Sequence, residues 1–532
     1  MNVISHPSIF NDVIGPIMRG PSSSHCAASV RIGRIARDLM DGNIEEVKIV
    51  FDCKGSLATT HESQGSDMGL YGGFTGWEAY DERLLDYINA VEDTMIRISI
   101  DIKDLSDRHP NTYNLLIKNS KEHHQMVAIS TGGGMIEIIE IDGIKVSMIG
   151  DYYETLIFSN DSNLKSYLQR KLDIEVILLE ESNDNKIIEL KSSKFLDKET
   201  KNDLMSKFDI SSIKEINPVL PILSRKGIKL PFTTSEQMFQ YNKEKNLDLW
   251  ELAVIYESIR GNISKQEVFQ KMKNICKIMR KSILEGLEGT EYNDRILDNQ
   301  SGEFKDKMKN NKLLGSGVLN QMILNITAIM EVKSSMGVIV AAPTAGSCGT
   351  LPGSLIAVTE IMELPEDELV KAMFAAGIIG LFISIHATFA AELGGCQAEC
   401  GSASGMAAAG LVYLGKGNIM NAISAASMAL QNVLGMVCDP VGNRVEVPCL
   451  GKNIIAASNA LSCANMALAN YDPVLPLDEV IEAMNKVGNS IPSELRCTIL
   501  GGLSVTKTSK KLENKLKKRK LTSNKQKKDI NV

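Results

Sequence analysis

The sequence predicts an α+β protein, in which a strand-and-helix half is followed by an almost wholly helical half. Three observations carry that expectation. Short segments of period-two hydrophobicity recur up to about residue 193. Beyond Thr233 the periodicity is helical nearly throughout, with Ala-rich stretches between Val318 and Ala469. Between the halves, Asn217 to Pro231 (NPVLPILSRKGIKLP) carries three prolines, which favour extended chain and mark a boundary.

Taken in order, Val47 to Cys53 reads as a strand and Glu82 to Met95 as an amphipathic helix. Met126 to Gly150 reads as a strand, a glycine turn at Gly132–Gly134, and a hairpin over Asp142-Gly143. These make a first α/β domain over 1–150. A second pattern of strand, helix, strand, strand follows over 151–193. It suits a small ligand-binding or subunit-pairing module, or an eroded remnant of one. Residues 194–231 are expected to be a linker, 232–506 a helical domain, and 507–532 a disordered basic tail.

At 532 residues the chain exceeds what one core usually serves. The net charge of −7 is uneven. The tail holds eleven Lys and Arg against Glu513 and Asp529, so it nets about +9 and the body about −16. An acidic body argues against nucleic acid as a partner. The start, MNVISHPSIFND, lacks the basic flank and apolar run of a signal peptide. Ala372 to Ala391 is long enough to span a bilayer, but His386 and its Ala, Gly and Ser content make it a buried core helix. No membrane partner is expected. Ten cysteines in a large chain of this kind point to reduced thiols and a cytoplasmic setting.

Four of those cysteines, Cys396, Cys400, Cys438 and Cys449, fall within 54 residues, each near Gly or Pro. They suit zinc or an iron–sulfur cluster, although the spacing matches neither zinc-ribbon nor ferredoxin patterns. Buried, unliganded cysteine is the competing reading. Ser23, Ser24 and His25 precede a helical stretch, and a helix N-terminus suits a carboxylate, while serine there also serves as a plain cap. His109 and Asn111 flank Pro110 in a fixed turn. The Thr344–Ser347 turn offers hydroxyls and N–H groups to a substrate carboxylate.

GGCQAE, CDPVGNRVEVPC and APTAGSCGTLPG resemble signatures of the iron–sulfur L-serine dehydratase α part. GPSSSHCAA, GSLATTHESQGSD and DRHPNT resemble its β part, and the likeness covers most of residues 10 to 505 in the order β then α. The resemblance implies a β-type first domain, a helical α-type catalytic domain, and a [4Fe–4S] cluster on Cys396, Cys438 and Cys449. The small module at 151–193 is expected to be ACT-like. The implied reaction is β-elimination of water from a small hydroxy amino acid, L-serine above all, with one iron left open for the hydroxyl. It also implies a homodimer, His25 and His109 as acid–base groups, to which His61 is added from this chain's own sequence, and Ser23, Ser24, Asn111, Thr344 and Ser347 around the substrate. Two departures stand out. The family's histidine in G-H-x-T-D is Gln64 here, and an amide is no base. His61 and Glu62 stand close enough in sequence to substitute. Cys400 is a thiol the family pattern lacks, expected to pack beside the site; as a fourth ligand it would close the cluster. Another hydroxy amino acid or hydroxy acid as substrate, or a non-turnover cluster sensor or binding protein, are the alternatives these departures raise. Cys348 and Cys497 read as core thiols, and His386 as a hydrogen-bonded core histidine.

Overall fold

A computed structural model describes residues 6–92, 94–105, 109–172, 176–181, 186–225, 227–292, 295–315 and 317–530. The chain divides into two compact units. The first comprises Met1–His6, Ser24–Glu62 and Ser66–Lys229; the second comprises Pro7–Ser23, Ser63–Gly65 and Leu230–Val532.

Six strands form the main sheet of the first unit: β1 Glu46–Asp52, β2 Arg97–Lys103, β3 Thr112–Lys118, β4 His123–Gly132, β5 Met135–Ile141 and β6 Ile144–Met148. Their order is β2-β1-β3-β4-β5-β6, and only β1 and β2 run parallel. In β1 the period of two buries Val47, Ile49 and Phe51 on one face. Ile32, Ile35 and Leu39 of the helix Ala28–Leu39 close the same core. That helix lies tight against Ser66–Phe74: a Cβ on Gly33 would come within 2.8 Å of the Gly73 Cα. Side chains on both would force the pair apart.

The second sheet holds β7 Tyr153–Ser159, β8 Val176–Glu181, β9 Lys186–Ser192 and β10 Ile210–Ile216, ordered β10-β7-β9-β8 and antiparallel throughout. With helices Leu164–Lys171 and Lys198–Lys207 this is the ferredoxin-like βαββαβ order. Alternation splits its strands between two cores. Leu156, Ile187 and Ile216 join the main one, while Ile157, Ile188 and Leu190 meet Leu164, Leu168 and Leu204. The expected linker over 194–231 is therefore corrected: a helix and the strand that completes this sheet occupy much of it.

The second unit is helical, as expected. Glu366–His386 is long and apolar enough to cross a membrane, and its residues from Leu369 to Ile383 are mostly buried in the protein. Leu249–Gly261 and Ser402–Leu414 are among the helices packed on it. So is the N-terminal segment, which corrects the expected continuous domain over 1–150. Ile9 and Val13 lie against Gly377 and Gly380, and Phe10 meets Phe374 edge-on at 6.4 Å. Ile9 N–H donates to Glu257 at 2.8 Å, and Ile17–Met18 pairs antiparallel with Ile339–Val340. The basic stretch Lys507–Ile530, expected to be disordered, is a helix. Its first turns are anchored, with Leu512 and Leu516 beside Gly442 and Glu513 paired with Lys510 and Lys517.

Candidate active site

In the first unit three histidines are each fixed by a named partner. His25 belongs to a single wide helical turn, Ser23–Ala27, and is fully buried. Its Nε2 lies 2.9 Å from Thr60 Oγ1, whose own proton goes to the Ser56 carbonyl at 2.7 Å. Nε2 is therefore the protonated nitrogen. Burial, then the nearby His61, pushes its pKa down to about 3, so the ring is neutral at any working pH.

His61 ends the short helix Leu57–Thr60 and stacks on Phe51 at 5.2 Å. Its Nδ1 lies 2.7 Å from Asp67 Oδ1, and about a fifth of its side chain is exposed. A carboxylate there accepts a hydrogen bond from Nδ1–H and leaves the lone pair on Nε2.

His109 accepts from Asn111 N–H through Nδ1 at 3.2 Å, and burial lowers its pKa. Asn111 is fully buried, and neither polar atom of its amide has a partner among the described residues. Ser130 sits opposite it on β4, with an equally unpartnered hydroxyl. Asp107 and Arg108 of the same motif lie outside the described residues. Gly132–Gly134 is the expected tight turn, all three at positive φ.

In the second unit the cysteines gather. Cys396, Cys400, Cys438 and Cys497 share one buried cluster, and Cys449, also buried, lies within electrostatic reach of Cys396. None is in a disulfide. Backbone contacts place them. Gln397 N–H donates to the Met436 carbonyl at 2.9 Å, tying the Cys396 segment to that of Cys438. Cys438 N–H donates to Leu495 O at 2.8 Å, and Cys497 N–H to Cys438 O at 2.9 Å. Cys449 opens the helix Cys449–Leu468, where the helix dipole favours a thiolate.

Burial pushes the Cys449 thiol up to about 12, with Lys333 pulling the other way. Thiol–thiol hydrogen bonds and burial raise Cys400 against Cys396 and Cys438 against Cys497. Among the described residues no three cysteine sulfurs lie within 4.8 Å of one another. One tetrahedral zinc, about 2.3 Å from each sulfur, would need them about 3.8 Å apart.

The Thr344–Ser347 turn belongs to this unit and keeps Ser23 with it, since Ser23 Oγ accepts from Ala345 N–H at 3.2 Å. Ser24 falls in the first unit, with His25. Thr344 Oγ1 donates to Glu399 at 2.6 Å, and a Cβ on Gly346 would collide with that carboxylate. Glu399 is a residue that sequence reasoning missed. Burial lifts its pKa to about 7, and its place between Cys396 and Cys400 was the available signal. Asn453, also missed, bonds Gly346 O at 2.8 Å, Cys449 O at 2.9 Å and Thr350 Oγ1 at 2.9 Å, linking the turn to the cysteines.

Gln64 lies in the second unit too, its Nε2 3.8 Å from Cys497 Sγ. Cys348 packs on Met330, a core thiol as expected. His386 bonds the Thr233 carbonyl at 3.0 Å, the structural role expected of it.

The serine dehydratase alpha chain family matches residues 240–504. The chain is 36% identical over 285 residues to the probable L-serine dehydratase alpha chain of Bacillus subtilis (strain 168), covering 54% of this chain and 95% of that one. It is 36% identical over 282 residues to the L-serine dehydratase alpha chain of Peptoniphilus asaccharolyticus, covering 52% and 96%. With the L-serine dehydratase of Helicobacter pylori (strain ATCC 700392 / 26695) it is 24% identical over 497 residues, covering 92% and 96%.

Proposed function

This chain belongs to the L-serine dehydratase family, lyases of the L-serine ammonia-lyase type, and on that premise we propose that it converts L-serine to pyruvate and ammonia with a [4Fe–4S] cluster on Cys396, Cys438 and Cys449. The observation that carries this reading is the gathering of buried, unbridged thiols in the second unit. An all-sulfur donor set spread too widely for one zinc suits a larger inorganic core. When bound, such a cluster supplies a Lewis-acidic iron for the substrate hydroxyl.

The protein's own residues supply the rest. His61 Nε2 takes the Cα proton, with Asp67 holding Nδ1–H and stabilising the imidazolium that forms. His25 is too weak a base for that task, with a pKa near 3, and instead presents Nε2–H to Thr60. Hydroxyls and N–H groups of the Thr344–Ser347 turn, joined by Ser23, bind the substrate carboxylate. The amide of Asn111, buried without a partner, is matched to a polar ligand. His109, neutral and donating through Nε2, and Ser24 complete the polar set in the first unit. Loss of water leaves aminoacrylate, which tautomerises to an imine and hydrolyses to pyruvate and ammonia.

Anaerobic purification, with iron and sulfide analysis and a pyruvate assay on serine, tests this. Stoichiometric iron and sulfide with pyruvate formation are expected. A metal-free active enzyme would overturn the cluster, and an iron-loaded enzyme acting only on another hydroxy acid would overturn the substrate. A second reading, a cluster held without turnover, draws on one observation: Cys400 and Cys497 add thiols against Cys396 and Cys438. Cluster assembly that fails in both Cys396→Ser and Cys400→Ser, in a protein inert to every substrate tried, would favour it.

A further inference from the structure

The helix Gly317–Ser334 carries at its end a lysine that the reaction above does not use. Lys333 is 0% exposed, and its Nζ donates to the Val445 carbonyl at 2.5 Å. Among the described residues no carboxylate lies within 4.0 Å of that Nζ. A buried ammonium whose one hydrogen-bond partner is a neutral carbonyl is strongly unfavourable, so its charge needs a balance nearby.

Lys452 makes the contrast. It also lies beside the cysteines, acting on Cys396 and Cys438, but it is paired with Asp439 at 2.8 Å. Lys333 has no such ion pair among the described residues. Val445, which it holds, is four residues before Cys449, and its charge is felt at Cys449, Cys348 and Glu399.

We propose that Lys333 is the buried counter-ion of the thiolate-held cluster, setting its reduction potential and how firmly it is kept. This rests on the cluster reading above. Three thiolates on a [4Fe–4S]²⁺ core leave one net negative charge, and one buried ammonium balances it. Lys333 is a positioning and electrostatic residue with no part in proton transfer.

Removing the Lys333 charge is expected to act with opposite signs with and without the cluster, which a packing role would not give. Lys333→Met keeps the length and removes the charge. In the anaerobic, iron-loaded full chain, its cluster potential is expected to fall, and iron loss to a chelator to quicken about tenfold. In the iron-free full chain, Lys333→Met is expected to melt higher than the parent, because an unbalanced charge has been removed. Lys452→Met is the control: it orphans Asp439 and is expected to lower the melting temperature in both states. An iron-loaded Lys333→Met with the parent's potential and iron-loss rate would overturn the proposal. So would an iron-free Lys333→Met that melts lower. If the parent chain holds no iron and sulfide, the cluster reading falls and takes this inference with it.

Discussion

The histidines and the cysteines are held by opposite means. Two of the histidines meet a partner side chain, Thr60 for His25 and Asp67 for His61, while His109 takes the main-chain N–H of Asn111. The cysteines are set by main-chain hydrogen bonds between segments far apart in sequence, with Cys400 against Cys396 and Cys438 against Cys497. A group oriented by one side chain can be detuned by one substitution. A group oriented by backbone survives such changes until the fold itself gives way.

The largest test of that difference is removal of a sulfur. Cys438→Ser is expected to lose nearly all iron and, on the order of a thousandfold or more, its activity, as measured by iron analysis and pyruvate formation. Next comes the His61 partner. Asp67→Asn is expected to lower kcat roughly 10²- to 10³-fold with iron content unchanged. Iron loss in that variant would mean that the two sets are not independently held. Asn453→Ala removes several buried hydrogen bonds at once and is expected to cost about 3 kcal/mol in denaturant unfolding.

His25 gives a pH test. Its pKa falls from 6.5 to about 3 on folding, so the unfolded chain binds this proton more readily. Stability from this group is complete above the unfolded value and declines as pH drops through 6.5 towards 3. At pH 5 the loss is about 2 kcal/mol relative to pH 8, and His25→Gln is expected to lack that slope. Cys400→Ser should change least, keeping its iron and activity within about twofold. A large loss there would place Cys400 among the ligands.

What the sequence disclosed follows the same division. Residue types with rare chemistry were legible: the cysteines, the histidines, and the hydroxyls of the Thr344–Ser347 turn. Lys333 and Asn453 were not, because a lysine or asparagine in a helix is usually exposed, and only packing reveals these two as buried. The helical half was legible from its Ala-rich runs. Lys198–Lys207 was hidden because only Leu204 of its ten residues is buried. Ile210–Ile216 was hidden because its charged and hydroxyl residues mask a strand whose partner, β7, ends some fifty residues earlier. The place of Pro7–Ser23 in the second unit rests on contacts with no local signature.

That first segment has a consequence for biosynthesis. Pro7–Ser23 leaves the ribosome well ahead of its partners, since Glu257, which Ser8 bonds, follows 249 residues later. At about 5–20 residues per second the segment waits on the order of 10–50 s for its first partners. Ile9, Phe10, Val13 and Ile14, all buried in the finished protein, spend that interval unsheltered and are natural clients for a holding chaperone. A reading frame cut near Lys229 would leave this piece at the front of one product, while the other product needed it to close its core.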